Sequence, residues 1–268
     1  ERALKEGADF VATGHYVQLV VGSKVVSSKK AKLRTTNYQL LAARDSAKDQ
    51  SYFLCQVTND QLSKILFPIG ELEKSEVRRI AKEQDLVTAE KKDSQGLCFI
   101  GKVKLPDFLQ QQLKIKKGQI VEIAPDSTVY AEHFETNIEV PEAEPYAYDP
   151  EDGEEVGEHQ GAHYYTIGQR KGLGIGGTKL PLFIIGTDVN TNTIYVGQGE
   201  DHPGLWRDVL FIPNNDIHWI RPDLELADGE SEDYLARIRY RQKLHKCTLH
   251  KKQHGLYIEF SEPMKAIT

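Results

Sequence analysis

The chain has 268 residues, 39% of them hydrophobic and 28% charged, and a formal net charge of −6. That length allows two or three domains with a sizeable core, and the balance of apolar and charged residues excludes a disordered or membrane-embedded class. No apolar run approaches the roughly 18 residues of a membrane span, residues 1–7 lack a signal peptide's apolar stretch, and three cysteines are too few for a disulfide scaffold, so a cytoplasmic setting is expected.

Ala8 to Gly14 reads as a short buried strand preceded by a helix end, with no initiator methionine, so a further amino-terminal segment is expected before Glu1. Ser27 to Thr36 reads as a polar Ser/Lys-rich excursion. Lys74 to Asp85 sets Val77, Ile80, Ala81 and Gln84 on one face at helical spacing, with Arg78, Arg79 and Lys82 elsewhere, which predicts a helix. Leu105 to Leu113 is a shorter helix candidate. From about Lys117 the texture turns to short strands, at Gly118 to Ile123 and Phe183 to Val189, with Asn190 to Asn192 as a turn. Asp126 to Gly157, rich in Glu, Pro and Asp, reads as an exposed insertion or long loop. A third unit is expected near His202-Pro203-Gly204. In it Ile217 to Ile220, Tyr234 to Tyr240, Cys247 to His250 and Leu256 to Phe260 suggest a small barrel, interrupted at Thr268. The expected domains are 1–106 (α/β), 107–202 (β-rich) and 203–268 (β-barrel).

Charge is unevenly spread. Acidic side chains crowd between Glu142 and Glu158, whereas Arg237 to Lys252 holds seven Lys/Arg and no acid. Read as a strand, Arg237 to His245 would align Arg237, Arg239, Arg241, Lys243 and His245 on one face. Such a face is either a solvated surface or a phosphate track, with Tyr240 beside it as a stacking ring.

Cys98 lies where the polar turn Lys91 to Gly96 enters an apolar strand. Nearby lysines favour a reactive thiolate, and a buried packing cysteine is the alternative. Cys55 sits on an apolar helix face and reads as core packing. Cys247, His245, His250 and His254 have strand-like spacing with interleaved lysines, a poor pattern for zinc, and no metal ligands are expected. His159 and His163 read as part of a polar loop, because Gly157 and Gly161 disfavour a helix. Gly14, at the end of the Val11 to Thr13 strand, would let a nucleotide approach the backbone, and His15 could meet a base; an ordinary turn is the alternative. Gly168 to Lys179 is either a phosphate cradle or a tight β-turn with a basic rim.

Six blocks taken together closely resemble the tRNA-specific 2-thiouridylases: Ala12 to Tyr16, Lys48 to Leu54, Phe67 to Leu72, Lys92 to Gly101, Gly157 to Gly161 and Thr166 to Gly174. They occur in that family's order. The resemblance implies the carboxyl-terminal part of an ATP-pyrophosphatase domain (adenine nucleotide hydrolase-like α/β), a central β-rich domain and a carboxyl-terminal β-barrel. It implies ATP-dependent adenylation of O2 of a tRNA wobble uridine, with Mg2+ accompanying ATP, then sulfur transfer to C2 from a Cys98 persulfide. It also implies Gly14 at the ATP site, and tRNA contacts at His15, at Lys48, Asp49 and Gln50, and at Arg239 and Tyr240. A sulfur-donor protein (a cysteine desulfurase or sulfur relay) and a disulfide bond are further family features. The family's Ser-Gly-Gly-x-Asp-Ser phosphate loop and first catalytic cysteine do not occur in these residues, so the 268-residue chain alone is expected to be inactive. A non-catalytic tRNA-binding module and a protein-directed sulfur relay are the competing readings.

Overall fold

The computed structural model describes residues 2–28, 31–91, 108, 115–133 and 143–267. The chain divides into two units, one of residues 1–93, 216–227 and 239–241 and the other of residues 94–215, 228–238 and 242–268.

In the first unit α1 (Arg2–Lys5) leads to β1 (Val11–Ala12), and β2 (Val17–Ser28) and β3 (Ala31–Ala42) form an antiparallel hairpin. After α2 (Asn59–Leu62), β4 (Ile65–Leu66) runs parallel to β1, with Val11 opposite Ile65 and Ala12 opposite Leu66. The hairpin corrects the reading of Ser27 to Thr36 as a polar excursion: Ser27 pairs with Lys32 and Thr36 with Ser23. A two-stranded ladder needs only backbone groups, and Val25, Val26, Thr35 and Thr36 carry the β-branched side chains that favour extended backbone. The predicted helix forms as α3 (Lys74–Glu83). Asp45 caps its start by accepting from the Lys74 N–H at 3.0 Å, and Asp85, at φ 49°, takes the left-handed turn just past its end. Gly70 is pressed so closely on β2 that a Cβ there would lie 1.8 Å from the Val17 carbonyl oxygen.

In the second unit β5 (Gly118–Glu122), β6 (Glu154–His159), β7 (Leu182–Asp188) and β8 (Thr193–Gln198) form a sheet in the order β6-β5-β8-β7, with β5 parallel to β8. Both faces are covered. Ile120, Ile184, Ile194 and Val196 pack with Leu173 and Leu182 on one side, and Val121, Phe183, Ile185 and Tyr195 with Ile123 and Leu205 on the other. Burial on two sides explains why Leu182 to Ile185 reads as an unbroken apolar run. Asn192 closes the β7–β8 turn at φ 58° and ties neighbouring segments together, donating to the Lys116 and Lys117 carbonyls and accepting from the Ala162 N–H. A second, antiparallel sheet follows, ordered β10-β11-β12-β9, from β9 (Trp206–Pro213), β10 (Ser231–Ala236), β11 (His245–Lys252) and β12 (Gly255–Lys265).

Two further readings change. Ile217 to Ile220 is not a strand, and residues 216–227 belong to the first unit, where Asn37 donates to Asp223 at 3.0 Å and His218 to the Val57 carbonyl at 3.2 Å. Asp126 to Gly157 is not simply a loop: it contains a helical turn at Val129–Glu132 and most of β6, and its Tyr130 and Tyr148 pack against the central sheet. Their rings provide the apolar surface that the acidic composition conceals. Of the Leu105 to Leu113 candidate only Phe108, helical, is described.

Candidate nucleic-acid interface

β1 ends at Ala12, and the next residues of the first unit carry the candidate groups. Thr13 Oγ1 lies 2.7 Å from His15 Nδ1, which fixes the imidazole beside the strand end. Gly14 is exposed, and a Cβ there would meet nothing within 4 Å. Among the described residues no protein atom requires glycine at this place. Tyr16, 6% exposed, anchors the next turn.

The Lys48-Asp49-Gln50 segment is bound to that turn through its backbone. Gln50 Oε1 accepts from the Tyr16 N–H, and the Gln50 N–H donates to the Tyr16 carbonyl, both at 3.0 Å. Asp49 is 7% exposed, and its carboxylate accepts from Ala43 N–H (3.1 Å), Ser51 N–H (3.2 Å) and Ser51 Oγ (3.0 Å). Asp49 and Gln50 thus hold the loop in shape, with half-buried Lys48 beside them. His15 and residues 48–50 are brought together by this arrangement.

The loop presents an aromatic cluster that the sequence reading missed. Tyr52 and Phe53 lie on a 3-10 turn (Ser51–Leu54) and are 38% and 57% exposed. Tyr240 packs against both, with ring centroids 4.7 Å from Phe53 and 6.1 Å from Tyr52, and the Arg241 guanidinium lies 5.2 Å from the Tyr240 ring. The available signal was two consecutive aromatics after a polar run. Adjacent residues on a helical turn point in different directions and cannot both reach one buried face. A ring cluster beside Arg239 and Arg241 is suited to stacking on bases and pairing with phosphates.

The basic stripe is not a strand. β10 stops at Ala236 and β11 starts at His245, these two residues pair, and residues 237–244 form the loop between them. Arg241 at φ 65° reverses the chain, and Gln242 Oε1 accepts from the Ile238 N–H at 3.0 Å, so the five cations do not share one face. Arg239 and Tyr240 are half-buried and belong to the first unit, as do His15 and residues 48–50.

Cys98 lies outside the described residues. Cys55 is exposed, correcting its reading as core; it sits just past the 3-10 turn. Cys247 is 5% exposed, its Sγ lies 3.7 Å from the Tyr234 carbonyl, and burial pushes its thiol pKa up, the opposite of a poised nucleophile. Among the described residues no three His, Cys, Asp or Glu side chains gather as metal ligands. His159 is not part of a polar loop but 3% exposed at the end of β6, with Nε2 3.1 Å from the Asn192 carbonyl and the Gly161 N–H donating to Nδ1 at 2.9 Å. Satisfying both ring nitrogens makes its burial affordable.

Comparison with known proteins gives three family models in chain order: a tRNA methyl transferase HUP domain over residues 1–102, a tRNA methyl transferase PRC-barrel domain over 137–198 and an aminomethyltransferase beta-barrel domain over 212–268. The fold is accordingly a HUP α/β domain followed by two β domains. The tRNA-specific 2-thiouridylases MnmA of Flavobacterium johnsoniae and Christiangramia forsetii are each 54% identical to 99% of the chain, which covers 67% of each relative. That of Karelsulcia muelleri is 44% identical across the whole chain, which covers 66% of it. The chain spans about two thirds of the length of these relatives. At that identity and coverage, the chain belongs to the tRNA-specific 2-thiouridylase family.

Proposed function

We propose that this chain is the greater part of a cytoplasmic enzyme that converts a tRNA wobble uridine to 2-thiouridine, with domains at 1–106, 107–202 and 203–268. The observation that carries the reading is the joint placement, in one unit, of the β1 end, the Lys48 loop, the exposed Tyr52 and Phe53 rings and the half-buried Tyr240 with Arg239 and Arg241. These are the parts a single-stranded anticodon requires, since splayed bases are bound by stacking and their backbone by fixed cations. No helix among the described residues is long and apolar enough to cross a membrane.

The chemistry follows from the substrate. C2 of uridine is a poor electrophile until its oxygen becomes a leaving group, and ATP, with Mg2+, supplies an adenylyl group for O2. Gly14 leaves open backbone at the carboxyl end of the parallel β1–β4 pair, the edge where α/β sheets take nucleotides. His15, held by Thr13, meets the RNA, and Lys48 stands on a loop kept rigid by Asp49 and Gln50. The terminal sulfur of a Cys98 persulfide, loaded by a sulfur-donor protein, attacks C2 as AMP departs. Cleaving the remaining sulfur–sulfur bond needs a second thiol and leaves a disulfide. The described cysteines Cys55 and Cys247 are both free, and the assignment of Cys98 rests on its motif.

The test uses the protein with all the sequence its gene encodes, supplied with tRNA, ATP and a sulfur donor, with 2-thiouridine read by retardation on a mercury-containing gel. The Cys98→Ser variant should bind tRNA normally and form no 2-thiouridine; thiolation at the unsubstituted rate would overturn the role of Cys98. The 268-residue chain alone, lacking a Ser-Gly-Gly-x-Asp-Ser run, should be inactive in the same assay.

A further inference from the structure

Gly168 to Lys179 leads into β7, and its alternation sorts the loop into inner and outer positions. Leu173 is 8% exposed inside the core cluster with Ile184 and Val196, and Ile175 packs on that cluster. Between and beyond them, Gly174, Gly176 and Gly177 face open space, where a Cβ would meet nothing within 4 Å. Gly174 and Gly177, at φ +72° and +84°, hold left-handed backbone that other residues rarely adopt. Both ends are fastened. Gln169 accepts from the Thr166 N–H at 3.3 Å and donates to the Lys171 carbonyl at 2.8 Å. Gln198 accepts from the Leu180 N–H at 3.2 Å and donates to Glu122 at 2.6 Å.

Between those anchors, among the described residues, no backbone N–H of residues 174–179 donates to a protein acceptor. Arg170, Lys171 and Lys179 are exposed and form no ion pair among the described residues. No Asp or Glu occurs from residue 159 to residue 187. The loop borders an open concavity of about 450 Å³ lined by Arg170, Gly174, Thr178 and Lys179 among others. Unpaired amides on a fixed glycine backbone, with cations on the rim and no carboxylate, form a binding surface for phosphate oxygens.

We propose that residues 168–179 bind the phosphodiester backbone of the tRNA substrate, a second RNA contact borne by the central domain. The inference rests on the tRNA-thiolation reading. A polynucleotide suits the site better than a free nucleotide. The concavity is open to solvent, and its lining includes no aromatic ring to hold a base.

The test uses the full gene product and the triple variant Arg170→Ala/Lys171→Ala/Lys179→Ala, with tRNA affinity measured by fluorescence anisotropy across a salt series. Losing two or three phosphate contacts should weaken binding about tenfold at 0.15 M salt and lower the slope of log K against log salt by about 2. KM for tRNA should rise with kcat unchanged, and the charge-conserving Arg170→Lys/Lys179→Arg variant should keep wild-type values. Wild-type tRNA binding with an unchanged affinity and slope in the triple variant would overturn this inference and leave the thiolation reading intact. A wild-type protein that neither binds nor thiolates tRNA would overturn both. Loss of ATP affinity with tRNA affinity retained would show that the loop holds a nucleotide phosphate, and the RNA assignment would fall.

Discussion

β7 opens on an unbroken apolar run whereas residues 237–244 alternate cations with other side chains, yet it is the run that forms a strand and the alternating segment that forms a loop. In β7, Phe183 and Ile185 enter one core while Leu182 and Ile184 enter the other, so a slip of one residue would exchange every packed side chain. In 237–244 the alternating residues are cations with no buried face to choose between, and the chain is free to turn at Arg241. Periodicity fixes an element where burial penalises the alternative; where it does not, the same spacing records only composition.

That contrast is most exposed to test in the central sheet. Ile184→Ala should cost about 2–5 kcal/mol, because the site is closed on all sides. Gly118→Ala, whose new methyl would fall 1.9 Å from the Asn192 carbonyl oxygen, should cost about 3 kcal/mol or more. Urea denaturation checks both, and a change under about 0.5 kcal/mol in either would mean the sheet packs otherwise. Phe53→Ala and Tyr240→Ala should instead leave the denaturation midpoint nearly unchanged. Each should weaken tRNA binding by about 1–3 kcal/mol if a base stacks there, and equal binding by both variants and wild type would reduce the cluster to packing.

A smaller effect separates the two units by pH. His159 and His202 are buried, with pKa values held below the usual 6.5, chiefly by desolvation. Between the folded and unfolded values the unfolded chain binds more protons, so their contribution is complete above about pH 6.5 and is lost as pH falls through the depressed values. The urea midpoint reported by the single sheet-side probe Trp206 should therefore drop between pH 7.5 and pH 5.5. His159→Gln/His202→Asn should flatten that dependence while lowering stability at pH 7.5. Least of all, Arg241→Gly should alter stability by under about 1 kcal/mol, since glycine relieves the left-handed strain but adds unfolded-state freedom. Any weakening of tRNA binding then reports the lost cation.

The strands at Gly118 and Leu182 and the Asn192 turn were legible because each couples a local propensity to a buried face, and the helix at Lys74 because of its helical spacing, although it contains no buried residue. The β2–β3 hairpin was not, because a ladder is made by backbone groups, which the polar run Ser27 to Thr36 does not announce. The roles proposed for Gly14 and His15 were suggested by a strand end, and those for Arg239 and Tyr240 by charge, although the strand inferred for the latter pair is a loop. Tyr52 and Phe53 escaped because aromatic residues read as core unless something shows that no core receives them. Nothing in the sequence indicated that residues 216–227 and 239–241 belong with the first unit, since that depends on contacts such as Asn37 to Asp223, 186 residues apart.

The parallel pairing of β5 with β8 has a consequence for biosynthesis. Ile120 takes its partner from Ile194, so a nascent chain that has not yet yielded β8 holds β5 and β6 as an isolated ribbon, a form that is marginal in water. Throughout that interval Ile120 and Val121 lack their cover and present an apolar edge to chaperones and to other nascent chains. Any delay before β8 has emerged from the ribosome would lengthen this exposure.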